Sequence, residues 1–241
     1  MKKYALIGNP LAQAMSKEFF DEYFAKKNIN AQYELLELEE INHFPRIAES
    51  GIFSGFNITI PYKEKIIPFL DFLDKTAEKI GAVNAVKTKN GKLIGYNTDA
   101  YGFEKAILPL LKSEHRNALI LGAGGAAKAV KFTLKKLGIN SKFVSRKKSE
   151  NNLCYEDLNA QILENNTVII NTTPVGAVPN VENCPNIPYQ FLTQNHLLFD
   201  LICKPQKTLF LQKGEKMGAN IENGLKMFYG QAIKSYKIWQ T

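Results

Sequence analysis

Between an apolar run at residues 117–121 and an Ala/Val/Leu-rich segment at 125–137 the chain reads Gly122-Ala123-Gly124-Gly125-Ala126-Ala127. No other stretch restricts the fold as far. Glycine at this density ends one regular element and opens another. Read as strand, tight turn and helix, the segment fits G-x-G-x-x-G/A, the dinucleotide loop of a parallel α/β sheet. Gly122 allows the turn, Gly124 lets backbone approach a pyrophosphate, and Ala127 is small enough for helix–strand packing. The helix start offers unpaired amides to phosphate. Gly122, Ala123, Gly124, Gly125 and Ala126 are therefore candidate cofactor contacts.

The end of the next strand selects the cofactor. An NAD site places an acid about twenty residues on, to hold the ribose hydroxyls. Here Phe143-Val144 is followed by Ser145-Arg146-Lys147-Lys148, with no acid before Glu150. Arginine can stack on adenine and, with lysine, bind a 2′-phosphate through charge-assisted bonds. Ser145, Arg146 and Lys147 thus favour NADP over NAD. Further on, Asn171-Thr172-Thr173-Pro174-Val175-Gly176 ends another strand. Thr172, Thr173 and Pro174 suit a loop touching ribose or nicotinamide, and equally an ordinary turn.

A second constellation lies in the first half. Asn57-Ile58-Thr59-Ile60-Pro61-Tyr62-Lys63 is an extended run stopped by a proline, which cannot donate to a sheet ladder. It delivers Lys63 just past a strand end, where open sheets place reacting groups. Asn97-Thr98-Asp99 delivers an acid in the same way. Alone, Lys63 is equally a solvated surface lysine. Beside a dinucleotide loop, an ammonium that donates a proton to a carbonyl being reduced makes chemical sense, with a carboxylate to orient it.

Bulk properties remove other classes. At 241 residues the chain suits two modest cores. The apolar run near the N-terminus stops at Gly8-Asn9-Pro10, too short for a signal or a span, so no membrane association and a cytoplasmic location are expected. Cys154, Cys184 and Cys203, with His43, His115 and His196, have no metal-ligand spacing, so no metal site is expected. The net charge is +8, all of it from residues 102–241, since residues 1–101 are neutral. Without a nucleic-acid motif, that basic half fits a phosphate-rich cofactor better than a nucleic acid.

Periodicity predicts strands at 3–8, 32–38 and 55–60, and a hairpin of 84–88 with 92–96 around Asn90-Gly91. Helices are expected at 16–27 with Ser16 as N-cap, at 41–50, around 63–70 and 75–80, and at 99–112. A second series follows: strands at 117–121, 142–145, 167–171 and 197–202, helices at 125–137 and 208–217, a strand near 220, and a last helix at 225–239. The fold class is α/β in two domains, a mostly parallel N-terminal domain of residues 1–100 completed by about 225–241, and a Rossmann domain of 101–224.

In Gly8-Asn9-Pro10, Asn57 to Lys63, Gly81-Ala82-Val83-Asn84, Asn97-Thr98-Asp99, Gly122 to Ala127, Ser145-Arg146, Asn171 to Gly176, Asp200-Leu201-Ile202, Pro205 and Asn223-Gly224-Leu225 through Gln231-Ala232, the chain resembles shikimate dehydrogenases over nearly its whole length. The resemblance implies an N-terminal substrate domain, an NADP-binding Rossmann domain, and interconversion of 3-dehydroshikimate and shikimate on the way to aromatic amino acids. It implies Lys63 and Asp99 as the catalytic pair and Ser16, Thr59, Asn84 and Gln231 as substrate contacts, in a monomer or homodimer. Two positions depart from the family. Its first loop usually reads His-Ser-x-Ser where this chain has Gln13-Ala14-Met15-Ser16, and a tyrosine usually stands where this chain has Cys203. Both changes remove a hydroxyl from one end of the substrate. They keep open a relative acting on quinate or another cyclic polyol acid. A catalytically silent NADP-binding regulatory protein is the remaining alternative, and the intact Lys63 and Asp99 speak against it.

Overall fold

A computed structural model of the chain describes residues 1–146 and 152–241. Lys147, expected at the cofactor phosphate, lies outside the described residues. The chain divides into two compact units, Met1–Thr98 with Ala232–Thr241, and Asp99–Gln231.

The first unit is built on β1 (Lys2–Gly8), β2 (Ala31–Glu37), β3 (Phe53–Ile58), β4 (Phe72–Leu73), β5 (Ala85–Lys89) and β6 (Lys92–Tyr96), in sheet order β2-β1-β3-β5-β6-β4. Strand β1 pairs in parallel with β2 and β3, while β5 runs antiparallel to both β3 and β6. The hairpin turn has Asn90 and Gly91 both at positive φ, as a type I′ turn requires. Along β1, Ala5 and Ile7 enter one apolar cluster and Tyr4 and Leu6 the other, so both faces of the sheet are covered. Helices α1 (Ser16–Lys26), α2 (Phe44–Glu49) and α3 (Lys75–Ile80) supply much of that cover. Phe20 and Phe24 of α1 join Tyr4, Tyr33 and Trp239. Trp239 stacks on Tyr4 at 4.5 Å and donates from Nε1 to the Val86 carbonyl at 3.0 Å.

Several boundaries differ from the sequence expectation. Strand β3 stops at Ile58, because Thr59 turns the chain through a Tyr62 N–H to Thr59 carbonyl bond. The helix expected at 63–70 is one turn followed by a three-residue 3-10 segment, Ile67–Phe69, where Pro68 has no N–H to continue a helix. Met15, not Ser16, occupies the N-cap of α1, and no side chain caps it. The helix expected at 41–50 is a 3-10 turn, Ile41–His43, leading into α2, with proline in its first turn.

The second unit carries β7 (Asn117–Leu121), β8 (Asn140–Ser145), β9 (Asn152–Cys154), β10 (Val168–Asn171), β11 (Leu197–Asp200) and β12 (Asn220–Glu222). The order is β12-β11-β10-β7-β8-β9 and every pair is parallel. Counted within the unit this is 3-2-1-4-5-6, the doubly wound Rossmann order, with its switch point between β7 and β10. Its helices are α4 (Asp99–Ile107), α5 (Gly125–Lys136), α6 (Ala160–Asn165) and α7 (Leu209–Lys216), with α8 (Leu225–Gln240) as far as Gln231. Ala118 and Ile120 of β7 face one cluster, Leu119 and Leu121 the other. Helix α4 ends at Ile107, five residues before its expected end, because Pro109 breaks it into a 3-10 turn. No helix among the described residues is long and apolar enough to cross a membrane.

Candidate functional site

In the first unit the Lys63 backbone is held on both sides. The buried Tyr62 phenol donates to the carbonyls of Leu38 (2.6 Å) and Glu39 (2.8 Å), and the Val83 N–H donates to the Lys63 carbonyl at 2.7 Å. The Lys63 side chain is half-buried. Thr59, just past β3, is tied to β1 by its N–H on the Ile7 carbonyl at 2.9 Å. Ser16, the first residue of α1, lies beside the Tyr33 phenol. Burial pushes that phenol far above its ordinary range, and the Ser16 hydroxyl pulls the other way.

Asn84 belongs to a buried polar network that local sequence does not announce. Its Oδ1 accepts from the Thr98 N–H at 2.6 Å, and its Nδ2 donates to Thr98 Oγ1 at 2.9 Å. Thr98 Oγ1 lies 3.0 Å from Ser235 Oγ. Asn57 Nδ2 donates to Ser235 Oγ at 3.0 Å and to the Asn84 carbonyl at 3.1 Å, and Tyr33 donates to Asn57 Oδ1 at 2.8 Å. The sequence reading found Asn84 and missed Thr98, Ser235, Asn57 and Tyr33 as its supports. Asn57 and Thr98 stood inside quoted motifs, whereas Tyr33 and Ser235 carried no local signal.

In the second unit Asp99 opens α4 and is buried, and a carboxylate in a first turn is favoured by the helix dipole. Gln231, in α8, is half-buried.

The dinucleotide loop has the features its motif requires. Gly122 sits at φ +105°, where a Cβ would lie 2.7 Å from Thr172 Oγ1. Its N–H donates to the Val144 carbonyl, which ties the loop to the end of β8. Gly124 is the N-cap of α5 in an extended conformation that any residue could adopt, and nothing lies within 4 Å of where its Cβ would be. Neither backbone strain nor packing among the described residues demands glycine there. The space that a Cβ would fill at the helix start is thus open to a ligand. Gly124, the N-cap, has no side chain to cap α5, so the first amides of the helix are suited to a phosphate. Ala127 is buried, as the motif expects, while Ala123 is exposed and Gly125 and Ala126 are half-buried. Ser145 ends β8 and Arg146 follows it, exposed. These groups fit an NADP-type nucleotide.

The loop after β10 meets the dinucleotide loop across the switch point. Thr172 donates twice to the Leu121 carbonyl, from N at 3.0 Å and from Oγ1 at 2.6 Å. Asn171 Oδ1 accepts from Thr173 N (3.0 Å) and Oγ1 (2.6 Å). Both threonine hydroxyl protons are thus spent within the protein, one on the end of β7 and one on Asn171. What these residues can offer a nucleotide is methyl surface and lone pairs, with Pro174 exposed beside them.

Asp200 anchors this arrangement. It accepts from Asn171 Nδ2 (3.1 Å), Ile202 N (3.1 Å) and Thr208 Oγ1 (2.6 Å). Burial nevertheless pushes its carboxyl up to about 6 from 3.8, against the pull of those three donors. A raised carboxyl stabilises the fold fully below its unfolded value, and that contribution is lost as pH rises through the folded one. The expected loss is on the order of 3 kcal/mol across that window. Asp200→Asn removes this dependence. Urea unfolding should therefore show the parent's advantage over the variant shrinking as pH rises from 4 to 7, and a constant difference contradicts the assignment.

Cys203 is half-buried and its thiol is pushed up to about 12, chiefly by burial, so it stays protonated at neutral pH. Its Sγ lies 3.1 Å from where a Cβ on Gly224 would be. Ala14 packs against the aromatic cluster of the first unit.

A family described as the shikimate dehydrogenase substrate binding domain matches residues 6–86. The shikimate dehydrogenase (NADP(+)) of Staphylococcus aureus is 38% identical over 249 aligned positions, covering 98% of this chain and 92% of that protein. Among solved structures, shikimate dehydrogenase 1 from Peptoclostridium difficile is 35% identical with a TM-score of 0.88, covering 100% of this chain and 92% of that one. The Thermus thermophilus shikimate 5-dehydrogenase, solved in complex with NADP(H) and shikimate, is 27% identical with a TM-score of 0.88, covering 99% and 93%.

Proposed function

The chain belongs to the shikimate dehydrogenase family, and from that premise we propose that Lys63 and Asp99 are the proton-transfer pair of its reaction, the NADP-dependent interconversion of 3-dehydroshikimate and shikimate. It is an oxidoreductase acting on a CH–OH group. The observation that carries the reading is the near-full-length match to an NADP-dependent relative in a chain that has Lys63, Asp99 and the glycine loop.

When bound, NADPH supplies the hydride. The protein's own part is to place the substrate and move one proton. In reduction the Lys63 ammonium donates to the carbonyl oxygen as the carbon receives hydride, which leaves a hydroxyl and a neutral amine that solvent reprotonates. In oxidation the neutral amine takes the hydroxyl proton back. Asp99 orients the amine and offsets its charge. Ser16, Thr59, Asn84 and Gln231 hold the ring hydroxyls and carboxylate. Gly122 to Ala126, Ser145, Arg146 and the Thr172–Pro174 loop hold the nucleotide. A phosphorylated cofactor and a small acidic substrate suit a cytoplasmic enzyme.

The test follows nicotinamide absorbance with NADPH and 3-dehydroshikimate, then with NADP and either shikimate or quinate. Turnover of the shikimate pair at low substrate concentration is expected. Turnover of quinate alone would assign the Ala14 and Cys203 departures to a changed substrate. Tight NADP binding without any turnover would point to a silent regulatory protein.

A further inference from the structure

We propose that Ser235, in the last helix, is a positioning residue for the substrate amide of Asn84, acting through Thr98. The proposal rests on the reading of Asn84 as a substrate contact, and goes beyond it by assigning what holds that amide in place.

The Asn84 carbonyl can only accept, so the group of Asn57 facing it at 3.1 Å must be Nδ2, which fixes the Asn57 amide. The Asn57 Oδ1 then takes the Tyr33 phenol proton. The same Nδ2 donates its other hydrogen to Ser235 Oγ at 3.0 Å. Ser235 Oγ also lies 3.0 Å from Thr98 Oγ1, a hydroxyl pair in which either can donate. Thr98 Oγ1 also reaches Asn84 Oδ1 at 3.1 Å, the atom that accepts the Thr98 N–H at 2.6 Å. Asn84 Nδ2 donates back to Thr98 Oγ1 at 2.9 Å, so the Thr98 hydroxyl that Ser235 touches meets both ends of the Asn84 amide, while the Thr98 N–H fixes which end is oxygen.

Burial makes this orientation costly to disturb. Tyr33, Asn57, Asn84, Thr98 and Ser235 are each no more than 5% exposed, and Ser235 is fully buried. No bulk water can replace a lost partner, so removing one hydroxyl leaves Asn57 Nδ2 and Thr98 Oγ1 short of a bond in a low-dielectric setting. Serine is among the few residues small enough for a fully enclosed place that both accepts and donates there. Its position adds meaning, since it follows Gln231 by four residues in α8. The helix carrying one proposed substrate contact also supports another.

The experiment is a double-mutant cycle on the full-length protein, read by calorimetric shikimate binding, KM, kcat and NADP affinity. Ser235→Ala is expected to weaken shikimate by about 10-fold, in the range of one buried hydrogen bond, with kcat within about threefold and NADP affinity unchanged. Ser235→Cys, which keeps size and a weak donor, should fall between. Asn84→Ala should weaken shikimate at least as much. Adding Ser235→Ala to Asn84→Ala should then cost nothing further. Unchanged shikimate affinity in Ser235→Ala overturns the proposal. So does an equal further loss in the Asn84→Ala background, or a parallel fall in NADP affinity, each of which marks a general structural role. Unchanged affinity in Asn84→Ala alone instead removes the substrate role of Asn84, and the proposal with it.

Discussion

Lys63→Ala should lower kcat for shikimate oxidation by about 10²- to 10⁴-fold, the usual contribution of a positioned acid or base, and leave NADP affinity intact. The size follows from what the side chain is asked to do. Hydride addition leaves a developing oxyanion, and an ammonium at that oxygen both neutralises it and supplies the proton. Alanine supplies neither. Lys63→Arg separates these roles, because guanidinium keeps the charge but is not deprotonated in proteins. Arginine should therefore rescue substrate binding better than turnover. The backbone around Lys63 is fixed by Tyr62 and Val83, so side-chain truncation should leave the loop in place. A Lys63→Ala enzyme with full turnover ends the mechanism and returns Lys63 to the class of solvated surface lysines. Asp99→Asn should lower kcat less steeply, since the proposed role of Asp99 is to orient the amine and not to meet the substrate oxygen.

The second large effect concerns cofactor choice. Arg146→Ala should raise KM for NADP by about 10- to 100-fold, the range of a lost charge-assisted contact to phosphate, with KM for NAD nearly unchanged. The reason is positional. Ser145 ends β8, the strand next to β7, and Arg146 is the first residue beyond it. That is where a dinucleotide fold meets the adenosine ribose. Because Arg146 is exposed, part of its effect is screened, and added salt should weaken NADP binding more in the parent than in the variant. Ser145→Asp should go further and favour NAD, by offering a carboxylate to ribose hydroxyls and repelling a 2′-phosphate. The preference is measured as the ratio of kcat/KM for the two cofactors. An Arg146→Ala enzyme with an unaltered ratio shows that the basic loop is only a solvated surface.

The two halves of the candidate site differed in how openly the sequence displayed them. The cofactor half was legible because its chemistry is local. Strand β7, the glycine turn and α5 follow one another without interruption, and 117–121 matches the observed strand. The Asn90-Gly91 hairpin was legible for the same reason, as both residues must take positive φ. Short elements without such markers were missed. Strand β4 has two residues and β9 three, too few for any periodicity to register. At 63–70 and 108–112 the apolar pattern suggested helix where Pro68 and Pro109 removed the donors that a helix needs.

The sequence by itself determined which groups the proposed chemistry draws on: a glycine turn between strand and helix, a basic strand end, and a lysine and an aspartate each just past a strand. These follow from backbone freedom, charge and residue type over a few neighbouring positions. Only the tertiary structure decided what steadies Asn84 and the loop after β10. Tyr33 reaches Asn57 across 24 residues, Asn57 reaches Ser235 across 178, and Asp200 collects Asn171 from 29 residues away. Buried polar atoms must find partners wherever the fold brings them, and that choice is made by the pairing of strands and helices far apart in the chain.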